Sequence, residues 1–209
     1  MKNFLIIDDH EVVRVGIKTV FRDMFPSCHI HEANDEPSAV MQIKQQRFDL
    51  VIMDTKIPDT NSFGLMEYIR SNHREEKVLV FSMCDEGVYA KRFLKAGAMG
   101  FVSKSAGVSA LRNSITRVLN GRKYVSEKLA EQLVSEIGNV DVDNPFDKLS
   151  HREFEIVSLL LRGKAVGKIS GMLTINTNTV TTHKTRVFKK LGINNLVELI
   201  ELARQYHFS

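Results

Sequence analysis

Asp8 and Asp9 close the first apolar run of this 209-residue chain, Phe4-Leu5-Ile6-Ile7, and Asp54 closes a later one, Leu50-Val51-Ile52-Met53. Lys104 follows directly on Gly100-Phe101-Val102-Ser103. Brought to one place, three acids and one lysine would leave negative charge uncompensated. Two carboxylates 4 Å apart repel by roughly 4 kcal/mol at an effective dielectric of 20. A hard cation with oxygen ligands relieves that repulsion, and Mg2+ takes one or two carboxylates together with water and phosphate oxygens. The chemistry these residue types suit is therefore a divalent cation beside a phosphoryl group. For any single acid the plainer alternative is a solvated strand end.

What brings such residues together is a parallel sheet. Apolar runs over 3–8, 28–33, 49–54, 77–82 and 99–102 read as strands buried on both faces. Between them, 10–22, 35–46, 62–72, 86–96 and 107–119 have helical spacing. The first of these is expected to place Val12, Val13, Ile17, Val20 and Phe21 on one face. Five strands alternating with five helices predict a doubly wound, flavodoxin-like α/β domain, whose strand ends share one ligand-binding edge. Gly121 supplies a helix stop.

Strand signals end there. Leu129, Leu133, Val134 and Ile137 predict a short amphipathic helix, and Gly138 through Pro145 reads as a flexible linker. Beyond Leu149, Ser150 and Glu153 form a capping box ahead of Phe154, Ile156, Val157, Leu159, Leu160 and Leu161, with Gly163 ending that helix. Further helices are expected over 165–173, over 177–190 behind an Asn176 cap and before Gly192, and over 195–206. Four short helices with tight turns predict a small all-α helix-turn-helix bundle. The expected organisation is thus 1–120, a linker over 121–147, and 148–209.

Charge follows the same division. Residues 1–120 carry 16 Lys and Arg against 15 Asp and Glu, 121–147 carry 3 against 6, and 148–209 carry 10 against 4. A basic tail of net +6 on a chain of net +4 implies an anionic partner for the tail, with a solvated basic face as the alternative. A hydrophobic content of 43% is that of an ordinary globular protein, and no apolar stretch approaches membrane-spanning length. The N-terminus runs straight into a strand, so no export signal and no membrane association are expected. Cys28 and Cys84 lack metal-ligand spacing and read as buried free thiols, which points to a reducing, cytoplasmic location.

Residues 1–120 resemble the receiver domain of two-component response regulators. The match is carried by Asp8-Asp9, Asp54, Pro58, Ser82, Gly97-Ala98-x-Gly100-Phe101-Val102 and Lys104. The resemblance implies that Asp54 accepts phosphate from a sensor histidine kinase, with Mg2+ on Asp8, Asp9, Asp54 and the backbone carbonyl of Lys56. It further implies that Lys104 pairs with Asp54 and then with the phosphoryl group, that Ser82 turns to hydrogen-bond the phosphate, and that Phe101 rotates into the space vacated. The chain departs from the family at Asn61-Ser62, where Asp-Gly is common, and at Lys56, a cation beside the pocket mouth.

The tail resembles the LuxR-type helix-turn-helix of the NarL/FixJ class, through Leu149-Ser150-x-Arg152-Glu153, Gly163, Ile169, Thr179-Val180-x-x-His183 and Lys189-Lys190-Leu191-Gly192-Ile193. The resemblance implies a transcription regulator that dimerises on phosphorylation and binds promoter DNA. An exposed helix bearing Thr179, Thr181, Thr182, Lys184, Thr185, Arg186 and Lys189 suits a major groove. His183, spaced with Val180 and Val187, reads as a half-buried packing or phosphate-contact residue. The family usually has a lysine at Thr181, and Gly167 and Gly171 each weaken the second helix by about 1 kcal/mol relative to Ala.

Two other functions share parts of this residue pattern. An aspartyl-phosphate hydrolase wants a second acid two residues after its nucleophile, where this chain has Lys56, so no enzyme is expected. A tail converted to a protein-interaction module is the remaining alternative.

Overall fold

Alternation within each apolar run decides which helix layer it serves. In the computed structural model, which describes residues 1–58, 60–138, 144–206 and 208, five strands form β1 (Lys2–Ile7), β2 (Cys28–Ala33), β3 (Leu50–Met53), β4 (Val78–Ser82) and β5 (Gly100–Ser103). They alternate with α1 (Glu11–Met24), α2 (Glu36–Gln45), α3 (Ser62–Asn72), α4 (Glu86–Lys95) and α5 (Gly107–Leu119). The sheet is parallel throughout, in the order β2-β1-β3-β4-β5. Phe4, Ile6, Leu50 and Ile52 gather with Ile17, Val20 and Phe21 of α1 and Leu111, Ile115 and Val118 of α5. Leu5, Ile7, Val51 and Met53 alternate with them and are equally buried, while α2, α3 and α4 bury Ile43, Leu65, Met66, Ile69 and Phe93. Both faces being covered explains the near-continuous apolar runs.

The buried face of α1 excludes one residue expected on it. Val12 is 83% exposed. Val13, Ile17, Val20 and Phe21 fall within an arc of about 100°, and Val12 lies about 80° outside it. Gly121 does stop α5, at φ +75 just past the Asn120 cap. Both cysteines are free; Cys84 is buried, whereas Cys28, at the start of an outer strand, is only half-buried.

The chain divides into two compact units, Met1–Glu131 and Gln132–Ser209. The helix expected from Leu129 is α6 (Glu127–Gly138). Leu129 is buried, but Val134 is 68% exposed, so the expected apolar face does not hold along its length. The side chain of Ile137 and linker residues 139–143 lie outside the described residues. Pro145, expected in the linker, instead opens a 3-10 turn capped by Asn144, and its neighbour Phe146 is buried 4.5 Å from the Phe208 ring.

The second unit contains α7 (His151–Leu161), α8 (Val166–Met172), α9 (Thr177–Leu191) and α10 (Leu196–Gln205). The Ser150–Glu153 capping box is present, and Gly192 ends α9 in the left-handed conformation at φ +67. Phe154, Ile156, Val157, Ile169, Val180, Val187 and Leu199 make the core. Arg152 reaches from α7 to the Leu173 carbonyl at 2.6 Å, tying down the turn between α8 and α9. Among the described residues no helix is long and apolar enough to cross a membrane.

Candidate functional site

The register of β1 on β3 pairs Ile7 with Met53, which sets Asp8 beside Asp54 at the carboxyl ends of neighbouring strands. Their backbones are held by ladder bonds continued one residue past each strand, from Asp8 N to Ala33 O at 3.1 Å and from Asp54 N to Ile7 O at 2.8 Å. Pairing of Ser82 with Ser103 then brings the residue after β5 to the same edge. Lys104 Nζ lies 2.6 Å from Asp8 Oδ2 and 2.7 Å from Asp54 Oδ2. Asp8 and Asp54 are only 1% and 3% exposed, so the pair is a buried, lysine-bridged one. Burial alone would pull the Lys104 ammonium down, but hydrogen bonds and charge from Asp54 and Asp8 outweigh it and hold its pKa above the ordinary 10.5.

The other Asp54 oxygen, Oδ1, accepts from the backbone amides of Thr55 and, at 3.1 Å, Lys56. These amides aim positive partial charge at one end of the carboxylate while Lys104 occupies the other. The Lys56 side chain is exposed. Asp9 is partly exposed, yet its Oδ1 is buried without a hydrogen bond. His10 Nδ1 stands 2.8 Å from that oxygen and 3.3 Å from Asp8 Oδ1, as an ion partner when protonated.

Ligand atoms of Asp8, Asp9, His10 and Asp54 all lie within 4.8 Å of one another. A buried acid oxygen with no hydrogen bond and only the His10 ring beside it, in an oxygen-rich set with surplus negative charge, fits a hard divalent cation such as Mg2+. The imidazole does not suit that ion; its ring faces Asp8 and Asp9, and the His10 backbone amide donates to Asp8. Arg14 donates to the Asp8 carbonyl at 2.8 Å and is itself held by Glu32 at 3.0 Å, which steadies the loop from outside. His10 and Arg14 were not singled out from sequence. Their adjacency to Asp8-Asp9, and their i to i+4 spacing, was the available signal.

Ser82 is fully buried, and its hydroxyl meets Thr55 Oγ1 and the Cys84 amide. Phe101 is also fully buried, 6.4 Å from the Phe93 ring centroid, so any movement it makes begins from inside the core. In the departure at 61–62, Asn61 caps α3 through the Gly64 amide, and the buried Ser62 donates to the Thr55 carbonyl at 2.7 Å.

On the second unit, Val180 and Val187 turn one face of α9 inward, and His183 beside them is half-buried with Nδ1 unbonded. Burial, together with Arg186 and Arg152 against an opposing Glu153, holds its imidazole below the usual range. Thr179, Thr181, Thr182, Thr185, Arg186 and Lys189 are exposed. Lys184 is not fully so. Its ammonium lies 5.3 Å from the Phe188 ring centroid, at the flank of the helix. Asn178, one turn before Thr181 and Thr182 and equally exposed, belongs to the outward stripe beyond the residues expected from sequence.

The hydroxyls of Thr181, Thr182 and Thr185 donate to carbonyls one turn back, at 3.1, 2.9 and 3.0 Å. What they still offer outward is acceptor lone pairs and methyl groups. The helix is anchored from behind by Lys190 Nζ, 2.6 Å from the buried Glu153 carboxylate. Burial would raise Glu153, but Lys190 and the Ser150 amide hold it below its usual range.

Residues 4–116 match the response regulator receiver domain, and residues 147–203 match the luxR family of bacterial regulatory proteins. The chain is 32% identical over 203 residues to the response regulator GacA of Pseudomonas protegens, covering 97% of this chain and 95% of that protein. It is 31% identical over 204 residues to the response regulator UvrY of Escherichia coli, covering 97% and 94%. Among solved structures, RcsB of Salmonella enterica serovar Typhimurium, bound to promoter rprA in the presence of phosphomimetic BeF3−, shares the fold with a TM-score of 0.70 at 20% identity. That match covers 97% of this chain and 98% of RcsB.

Proposed function

This chain belongs to the response regulators that join a receiver domain to a LuxR-type domain, and from that premise we propose that phosphorylation of Asp54 controls promoter binding by α9. The observation that carries the reading is the buried Asp8–Lys104–Asp54 bridge, with backbone amides on the free oxygen of Asp54. An Asp54 oxygen attacks the phosphorus of a phosphohistidine on a sensor histidine kinase, the P–N bond breaks, and the donor imidazole leaves. Lys104 exchanges its carboxylate partner for a phosphoryl oxygen, and Ser82 lends its hydroxyl to another. Mg2+ held by Asp8, Asp9, Asp54 and the Lys56 carbonyl would neutralise phosphoryl charge. Positioning and charge neutralisation are most of what phosphoryl transfer requires of a protein, so few side chains suffice.

Phosphorylation adds negative charge and acceptors where Lys104 now balances two acids. It favours the active arrangement only through interactions that differ between the two states. That arrangement is a homodimer presenting two copies of α9 to paired half-sites. Arg186 and Lys189 contact phosphates, while the threonine methyls and acceptors suit thymine methyl and adenine N6 better than guanine.

A salt titration of promoter binding tests the output. Affinity is expected to fall about 10³-fold between 50 and 200 mM salt, and replacing both Arg186 and Lys189 by Ala, which removes their phosphate contacts from both protomers, to flatten the log–log slope by about 4. A wild-type affinity indifferent to salt would assign the tail to protein interaction instead.

Lys56 bears on the lifetime of the phosphoryl group. An ammonium offers only donors, whereas an amide oxygen also accepts a hydrogen bond from an attacking water and orients it. Lys56→Asn is therefore expected to speed loss of phosphate about 3- to 10-fold, the scale of one hydrogen bond. Equal decay in the two proteins, followed by intact mass, would dispose of this role.

A further inference from the structure

Next to the phosphoacceptor lies a small hydrogen-bonded cluster that joins the loop after β3 to the end of β4. Thr55 Oγ1 meets Ser82 Oγ and lies 3.3 Å from Cys84 Sγ, and the Cys84 amide donates to Ser82 Oγ at 3.2 Å. Ser82 is fully buried and Cys84 nearly so. Thr55 cannot drift away from them: its amide donates to Asp54, and its carbonyl accepts from Ser62 Oγ at 2.7 Å.

The positions of the protons follow from satisfying each buried donor. Ser82 already accepts from the Cys84 amide, so its own proton needs an acceptor. Among the described residues the one bonded to it is Thr55 Oγ1. Thr55 then donates to the Cys84 sulfur. The bonds run in one direction, from the Cys84 amide through Ser82 and Thr55 to the Cys84 thiol, and only the weak S–H donor is left over. Reversing the two side-chain bonds would strand the Ser82 O–H instead, a costlier loss.

We propose that Thr55 is a positioning residue for Ser82: at rest it accepts the hydroxyl hydrogen bond that the phosphoryl group must win from it. The proposal rests on the reading of Asp54 as phosphoacceptor and Ser82 as a phosphoryl donor. Breaking the Thr55–Ser82 bond is then part of the cost of switching, and it sets how much phosphodonor is needed to activate the chain. Asp54, Lys104 and the acid pair are untouched by this device, so it changes the threshold without changing the chemistry.

The full-length protein is titrated with beryllofluoride in the presence of Mg2+, with binding followed by calorimetry. Thr55→Val keeps the shape and removes the acceptor, and is expected to lower the half-saturating concentration about 3- to 10-fold, the equilibrium worth of one hydrogen bond. Thr55→Ser restores the acceptor and should return to the wild-type value. Thr55→Ala is run alongside, so that the result does not depend on the folding of one variant. The reading unique to positioning is the double mutant: in a Ser82→Ala background, Thr55→Val should shift nothing.

Unchanged or weaker binding by Thr55→Val and Thr55→Ala, or the same shift persisting without Ser82, would overturn the proposal while leaving Asp54 in place. A wild-type chain that gives no beryllofluoride response would overturn the phosphoacceptor reading and this proposal with it.

Discussion

Asp54→Ala is expected to reduce phosphoryl uptake by about 10³-fold or more, because the proposed nucleophile and the charge arrangement around it go together. Asp8 is as buried as Asp54, but its Oδ1 is already engaged by His10, and among the described residues it has no amide pair like that of Thr55 and Lys56 on Asp54. Asp9 is partly exposed and is not bridged by Lys104. Neither neighbour is set up to replace the missing carboxylate. Intact mass after incubation with acetyl phosphate and Mg2+ should show one phosphoryl group on wild type and none on the variant. Footprints on promoter DNA should respond to phosphodonor in wild type only.

The fold should tolerate the change, since Lys104 keeps Asp8 at 2.6 Å and an over-acidic pocket loses one charge. A melting temperature near that of wild type would confirm that the loss is chemical. Identical promoter occupancy by both proteins, with and without phosphodonor, would overturn phosphorylation control.

Lys104→Met should act in the opposite way, on stability first. It leaves two carboxylates, each at most 3% exposed, without their shared counter-ion. Removing one partner of a buried ion pair typically costs about 3–5 kcal/mol. For a unit of this size that is roughly a 10–20 °C fall in melting temperature. A divalent cation should recover much of the loss, because Mg2+ at about 100 times its Kd adds roughly 2.7 kcal/mol to a folded state that binds it.

Wild type should respond less to Mg2+, since Lys104 already occupies Asp8 Oδ2 and Asp54 Oδ2. The same melting temperature for wild type and variant, or a fall that Mg2+ does not touch, would sink this account. With its folded-state pKa raised above 10.5, the lysine contributes its stability fully below that pH and loses it only as pH rises beyond. Measurements near neutrality therefore read the intact bridge. Lys104→Met and Asp54→Ala should also be far from additive, because they share one contact.

Much of the site is legible in the sequence. Asp8, Asp9, Asp54 and Lys104 each end an apolar run, and in a parallel sheet run ends converge on one edge. The capping box at Ser150 and the glycine stops at 121 and 192 were equally legible, because caps and stops are local. Errors fell where a helix face had to be assigned by apolarity alone. Val12 and Val134 are apolar residues outside the buried arc, and lone exposed apolar side chains are ordinary. Lys184 resembled its exposed neighbours until its place on the helix set it at the flank, near Phe188.

Sequence by itself determined the element order, the convergence of three acids and a lysine, and a basic tail built for an anionic partner. All of these depend on local periodicity and on the one edge that parallel strands must share. Only the tertiary structure decided that Lys104 bridges Asp8 as well as Asp54, that His10 faces both acids of the pair, and that Thr55 rather than solvent holds the Ser82 hydroxyl. Those are contacts between loops that follow different strands, fixed by strand register and side-chain rotamer. A shift of one residue would abolish them without altering a single local signal.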